Sequence, residues 1–167
     1  MSFALMACQN KCKKASTTTP SATETRSEQP SIPAIAVPDT ERNDVELASI
    51  VKKHRITIID FWASWCGPCM QEMPNIKQIW GQYSGKGLGI VGISLDSDFH
   101  RWTDAINNNG MAWTQLSELR GWDSYAAKTF KVTAIPHTIV VDDKGKVLAV
   151  GLRGEQLAQF IAAQLSR

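Results

Sequence analysis

The sequence has no apolar run near the roughly 18 residues that a membrane-crossing helix needs, so nothing in its 167 residues predicts a transmembrane span. It also lacks an excess of either charge. Its 18 Lys and Arg stand against 16 Asp and Glu and are spread along the chain, and such a balance offers no field for nucleic acid. Metal-ligating residues are few: four cysteines (Cys8, Cys12, Cys66 and Cys69) and three scattered histidines (His54, His100 and His137). A structural zinc site wants four ligands, and only one cysteine pair lies beyond the first dozen residues, so no metal site is expected. No internal repeat is present. Residues 9–31 contain no Leu, Ile, Val, Phe, Trp or Tyr. Such a segment cannot bury enough apolar surface to offset its chain entropy, and residues 9–33 are therefore read as a flexible tether.

Ahead of the tether, Phe3-Ala4-Leu5-Met6-Ala7-Cys8 is a short apolar run ending in a small residue and a cysteine. It resembles the lipobox of a bacterial lipoprotein, with Cys8 as the lipidated residue. The basic residues and full apolar stretch of a signal peptide are missing, so residues 1–8 are read as a truncated lipoprotein signal. The alternative is a leader with no role, which would leave Cys12 as a spare thiol. A lipidated Cys8 would place the protein in the bacterial envelope, facing the periplasm, with the lipid as its sole membrane contact; without it the protein would be cytoplasmic.

From about Ile32 onward hydrophobic order appears and persists, and the folded domain is placed at residues 34–167, with 43% hydrophobic and 20% charged residues overall, the proportions of one soluble domain. Ile56–Trp62, ITIIDFW, is β-branched and nearly continuously apolar, as a strand covered on both faces should be. Leu88–Leu95, LGIVGISL, reads the same way. Val45–Lys53 carries a helical pattern. Met70, Met73, Ile76, Ile79, Trp80 and Tyr83 recur at three and four and mark an amphipathic helix that Pro74 should kink. Asp96-Ser97-Asp98 offers N-caps for a helix bearing Phe99, Trp102 and Ile106, which Asn109-Gly110 ends. Trp113–Leu116 is expected as a short strand and Tyr125–Phe130 as a short helix. Thr138–Val141 and Lys146–Val150 flank the hairpin turn Asp142-Asp143-Lys144-Gly145, and Glu155–Leu165 is a closing amphipathic helix. This order predicts an α/β sandwich with a mixed sheet of four to six strands.

Cys66 and Cys69 fall at i and i+3 between the strand and the helix. In a first helical turn that spacing suits a disulfide, and Pro68 suits the same turn because its missing N–H would be unpaired there. Cys66 then stands beside a helix N-terminus, where the dipole and free N–H groups stabilise a thiolate. That order makes Cys66 the nucleophile and Cys69 the resolving thiol. A purely structural disulfide would constrain little chain; a reduced and inert pair is the stronger alternative.

The stretch WASWCGPC, preceded by Asp60 and followed some seventy residues later by Ala134-Ile135-Pro136, resembles the thioredoxin superfamily. CGPCMQEMP, with Glu72 and Pro74, is more specifically similar to the membrane-anchored and periplasmic thiol-disulfide oxidoreductases related to cytochrome-maturation and AhpC/TSA-like redoxin proteins. The resemblance covers residues 34–167. It implies a thioredoxin-like three-layer sandwich, a mixed β-sheet with helices on both faces, and an extra helix and strand between Leu95 and Pro136. It further implies that Cys66 and Cys69 are catalytic, with Asp60 as a buried acid that accepts the Cys69 proton and Glu72 as a second acid one helical turn on. Pro136 matches the family's cis-proline, and the backbone of Ile135 would pair with an extended substrate chain. Trp65, Gly67, Pro68 and His137 complete the implied substrate surface, His137 standing where thioredoxin itself has threonine. Trp62 reads as core, and Trp122 as a residue that could line a groove.

The activity implied is thiol-disulfide exchange without a cofactor by a monomer, acting on disulfide-containing proteins. Gly67-Pro68 is the pair of thioredoxin, whose potential of about −270 mV favours reduction. An upstream electron donor would then be needed, a membrane thiol reductase in the envelope or a thioredoxin reductase in the cytoplasm. Two other readings compete. A thiol-dependent peroxidase of the redoxin type would carry Pro-x-x-x-Thr-x-x-Cys, but Ile59 and Ala63 occupy those positions. A redox-silent thioredoxin-fold binding module would keep its role without Cys66.

Overall fold

The computed structural model describes residues 31–166. The proposed signal at 1–8 and nearly all of the 9–33 tether lie outside the described residues. The chain is already tied down at Ser31, which bridges Lys146, while the Ile32 N–H donates to the Gly145 carbonyl at 2.8 Å. Both contacts involve residues assigned by sequence to the 9–33 tether. The physical reason is Ile32, the first branched aliphatic after the apolar-poor stretch. Its side chain packs over Gly145, whose φ is +78° and where any Cβ would collide with it.

Five strands form the sheet in the order β5-β4-β3-β6-β7: β3 Ile56–Trp62, β4 Leu88–Ser94, β5 Thr114–Ser117, β6 His137–Asp142 and β7 Val147–Val150. β3 and β4 run parallel, as do β4 and β5, while β6 and β7 are antiparallel. All seven residues of β3 and all seven of β4 are buried, as continuous apolar runs require when both faces are covered. The β6–β7 turn is fixed by Asp142, whose Oδ1 accepts from the N–H groups of Lys144 and Lys146, both at 2.9 Å.

Helices α2 (Gly67–Tyr83), α3 (Phe99–Asn109) and α5 (Gly154–Leu165) cover one face; α1 (Leu47–Val51) and α4 (Tyr125–Thr129) cover the other. Alternate residues of a strand point to opposite faces, and β3 shows the division. Phe61 packs on Phe130, just beyond α4, with ring centroids 5.5 Å apart. Asp60 instead feels the charge of Glu72 on α2. The three-layer arrangement and the extra α3–β5 segment are those the sequence implies.

Three details shift or sharpen the expectation. The helix expected from Val45 begins only at Leu47, because Asp44–Glu46 (β2) pairs antiparallel with Ala36–Pro38 (β1) in a separate ribbon. Its turn is built on Asp39, which accepts from the N–H groups of Glu41 and Asn43. Helix α2 continues through Pro74, which is exposed, and so spans the whole run from Met70 to Tyr83 that the spacing marks. Of the caps offered by Asp96-Ser97-Asp98, Asp98 caps α3 by accepting from Arg101 N–H at 2.9 Å, whereas Asp96 turns inward.

Candidate active site

Cys66 and Cys69 form a disulfide, with Cα atoms 5.2 Å apart. Cys66 is the N-cap of α2, and its Sγ accepts from the Cys69 N–H at 3.2 Å. The sequence favours this placement: β3 ends at Trp62, a four-residue turn closed by Cys66 N–H donating to the Ala63 carbonyl follows, and Pro68 occupies the first turn of the helix. Both sulfur-bearing residues are buried, while Gly67 and Pro68 between them are exposed. Trp65, just before the pair, is 52% exposed.

The Ile135–Pro136 peptide is cis. Pro136 is buried and Ile135 and His137 are half-buried. His137 pairs in register with Phe61 across β6 and β3, and its ring meets the Phe61 ring edge-on. Burial, helped by the nearby Arg153 charge, lowers the His137 pKa from its ordinary value of 6.5.

Asp60 lies in mid-sheet between Gly92 and Thr138 and is 4% exposed. Its pKa is raised to about 7, first by loss of water, then by the negative charge of Glu72, with Arg153 pulling in the opposite direction. Glu72 also ties two helices together. Its Oε1 accepts from the Gly154 N–H at the start of α5 and from Asn75 Nδ2, both at 2.7 Å. Asn75 Nδ2 also donates to the Gly154 carbonyl at 3.1 Å.

Two residues of this region are absent from the sequence expectation. Asp96, 1% exposed, accepts from the Ser64 N–H at 2.9 Å, the Ser64 hydroxyl at 2.5 Å and the Ser94 hydroxyl at 2.6 Å. It thereby anchors the turn that leads into Cys66, where Cys66 N–H donates to the Ala63 carbonyl. The available signal was an acid two residues beyond Ser94 at a buried strand end. Arg153 is the other, a cation whose field reaches both Asp60 and His137; nothing local in its sequence marks it. Behind the site, Trp62 Nε1 donates to Gln115 Oε1 at 3.0 Å, and the Gln115 side chain fits only because Gly92 has no Cβ.

A redox-active cysteine pair at a helix N-terminus and a cis-proline leading into β6, both on a mixed five-stranded sheet, define a thiol-disulfide oxidoreductase of thioredoxin fold. Relatives and solved structures agree with that class. Thiol-disulfide oxidoreductase ResA of Bacillus thuringiensis subsp. konkukian is 28% identical over 137 residues, covering 81% of this chain and 75% of the relative. Sporulation thiol-disulfide oxidoreductase A of Bacillus subtilis is 26% identical over 132 residues, 77% of this chain and 76% of the relative. Among solved structures, a thiol-disulfide oxidoreductase from Bacteroides fragilis superposes with a TM-score of 0.76 at 28% identity, covering 81% of this chain and all of the other. The thioredoxin domain of a thiol-disulfide oxidoreductase from Bacteroides vulgatus gives 0.74 at 28% identity, covering 82% and 96%. Residues 29–150 match the AhpC/TSA family, and the chain belongs to that family.

Proposed function

We propose that the protein reduces disulfides in partner proteins. The observation that carries the exchange chemistry is the position of Cys66 Sγ as the N-terminal hydrogen-bond acceptor of α2, where a thiolate is stabilised by backbone N–H groups and the helix dipole; its direction, reduction, rests on the thioredoxin-like Gly67-Pro68 pair. In the reduced enzyme the Cys66 thiolate attacks one substrate sulfur; a mixed disulfide forms and the second substrate sulfur leaves as a thiolate. Cys69 then gives its proton to Asp60 and attacks Cys66 Sγ. The substrate departs as a dithiol, two electrons richer, and the enzyme is left with the Cys66–Cys69 disulfide. Asp60 suits this step because its carboxyl titrates near neutrality. Glu72 acts on that proton through its charge on Asp60. Ile135, Pro136, His137, Trp65, Gly67 and Pro68 receive the substrate chain.

The oxidised enzyme requires an upstream thiol donor. We place it in the bacterial envelope, where a membrane thiol reductase would recharge it, held by a lipid on Cys8; this rests on the Phe3–Cys8 run and the apolar-poor stretch behind it. No helix among the described residues is long and apolar enough to cross a membrane. Ala63 in place of a hydroxyl residue, three positions before Cys66, argues against a peroxidase. The test is turnover of insulin disulfides with a dithiol donor: the wild type should be active and Cys66→Ser inert. Equal activity of the two, or peroxide consumed faster than disulfide, refutes the reading.

A further inference from the structure

Of the large apolar side chains among the described residues, Trp65, Trp122 and Tyr125 are 52%, 46% and 59% exposed. Trp65 and Trp122 come from loops more than fifty residues apart, yet their rings face each other at 6.5 Å with a 54° tilt. Tyr125 follows at the start of α4. An exposed aromatic pair of this kind costs solvation and needs a reason.

The turn that presents Trp122 is built rather than loose. Glu118 Oε2 accepts from the Ser124 hydroxyl at 2.5 Å and from Ala126 N–H at 3.0 Å, and Ser124 in turn caps α4 by accepting from Ala127 N–H. Gly121, with φ of +54°, donates its N–H to the Asp96 carbonyl at 3.4 Å. Asp96 is also the residue whose carboxylate holds Ser64, next to Trp65. One residue therefore anchors both tryptophan-bearing loops, its backbone holding one and its side chain the other.

We infer that Trp122, with Trp65, forms a fixed aromatic platform that selects substrates by an aromatic or long aliphatic side chain flanking the cysteine under attack. The inference rests on the proposed reduction of protein disulfides. Trp65 adjoins Cys66, so a chain that delivers its disulfide to Cys66 lies against this platform. The surface suits an apolar occupant more than a basic one, because the acid of the turn, Asp123, is already paired with Lys128 at 2.8 Å. Aromatic contacts of this type add selectivity through binding geometry as well as area.

The test uses two disulfide-linked peptides that differ only in having Trp or Ser next to the cysteine. The wild type should prefer the Trp peptide in kcat/KM by about three- to tenfold, carried mainly by KM. Trp122→Ala should abolish the preference and Trp122→Phe should keep most of it. Equal rates on the two peptides in the wild type, or an undiminished preference in Trp122→Ala, overturn the inference while leaving disulfide reduction intact. A self-associating wild type that becomes monomeric on Trp122→Ala, with its preference unchanged, also overturns it. Turnover of neither peptide refutes the reduction reading and this inference with it.

Discussion

Asp60→Asn isolates the energetic consequence of burying a carboxyl in mid-sheet. In the fold the acid keeps its proton up to about 7, whereas in the unfolded chain it releases it near 3.8, its ordinary value. Between those two values the folded protein binds more protons than the unfolded one, so stability falls as pH rises through that window. The full interval corresponds to ~4 kcal/mol at about 1.4 kcal/mol per decade of proton affinity. Some of this is already lost by pH 5, and about 2–3 kcal/mol should develop between pH 5 and 8. Asparagine has nearly the same shape and no titration. Urea unfolding of the oxidised proteins should therefore show Asp60→Asn gaining about 2–3 kcal/mol on the wild type from pH 5 to pH 8. Comparing the two proteins cancels the opposite trend from His137, whose lowered pKa favours the fold as pH rises. The same substitution removes the proton acceptor proposed for Cys69, so disulfide reduction should fall on the order of 10²-fold. A stability gap constant to within about 0.5 kcal/mol across that range would refute the argument and show that water or a partner satisfies the charge.

Cys69→Ser should still attack substrate but fail to release it, giving a mixed disulfide at Cys66 on non-reducing gels and no turnover. Glu72→Ala should cost about 1–3 kcal/mol in urea unfolding by leaving the Gly154 N–H without its acceptor. Glu72→Gln should cost less, and should move the Asp60 titration downward by removing a negative charge; NMR of the Asp60 side-chain carbon reads this directly. Asp96→Ala strips three donors of their acceptor and should destabilise by about 3 kcal/mol or more. It should also lower kcat/KM for protein disulfides, although Asp96 touches neither sulfur.

Much of this architecture is legible in the sequence where period and burial agree. ITIIDFW and LGIVGISL are long, uninterrupted and β-branched, and both emerge as fully buried strands. The short β1–β2 ribbon is not legible, since three-residue strands carry no period and its turn depends on one side chain, Asp39. Pro74 lies beyond the first four N–H groups that a helix leaves unpaired, so its ring deprives the Met70 carbonyl of an N–H donor, yet α2 continues through it to Tyr83. At the site, the cysteine pair follows from local context, and Asp60 from the resemblance to thioredoxins. Asp96 does not, because the same DSD triplet serves equally well as a set of helix caps, and only the fold brings Ser64 to it. Arg153 acts through space on residues from two other strands, a relation that no local spacing encodes.

The hydrogen bond from the Cys69 N–H to Cys66 Sγ has a thermodynamic side. Whatever makes the Cys66 thiolate comfortable at the helix start also lowers the free energy of the dithiol form, and so shifts the couple toward being an oxidant. Nucleophilicity and reducing power thus draw on one contact in opposite senses. A chain that caps its helix with the attacking sulfur can be quick or strongly reducing, and the strength of that single cap sets the compromise between kinetics and driving force.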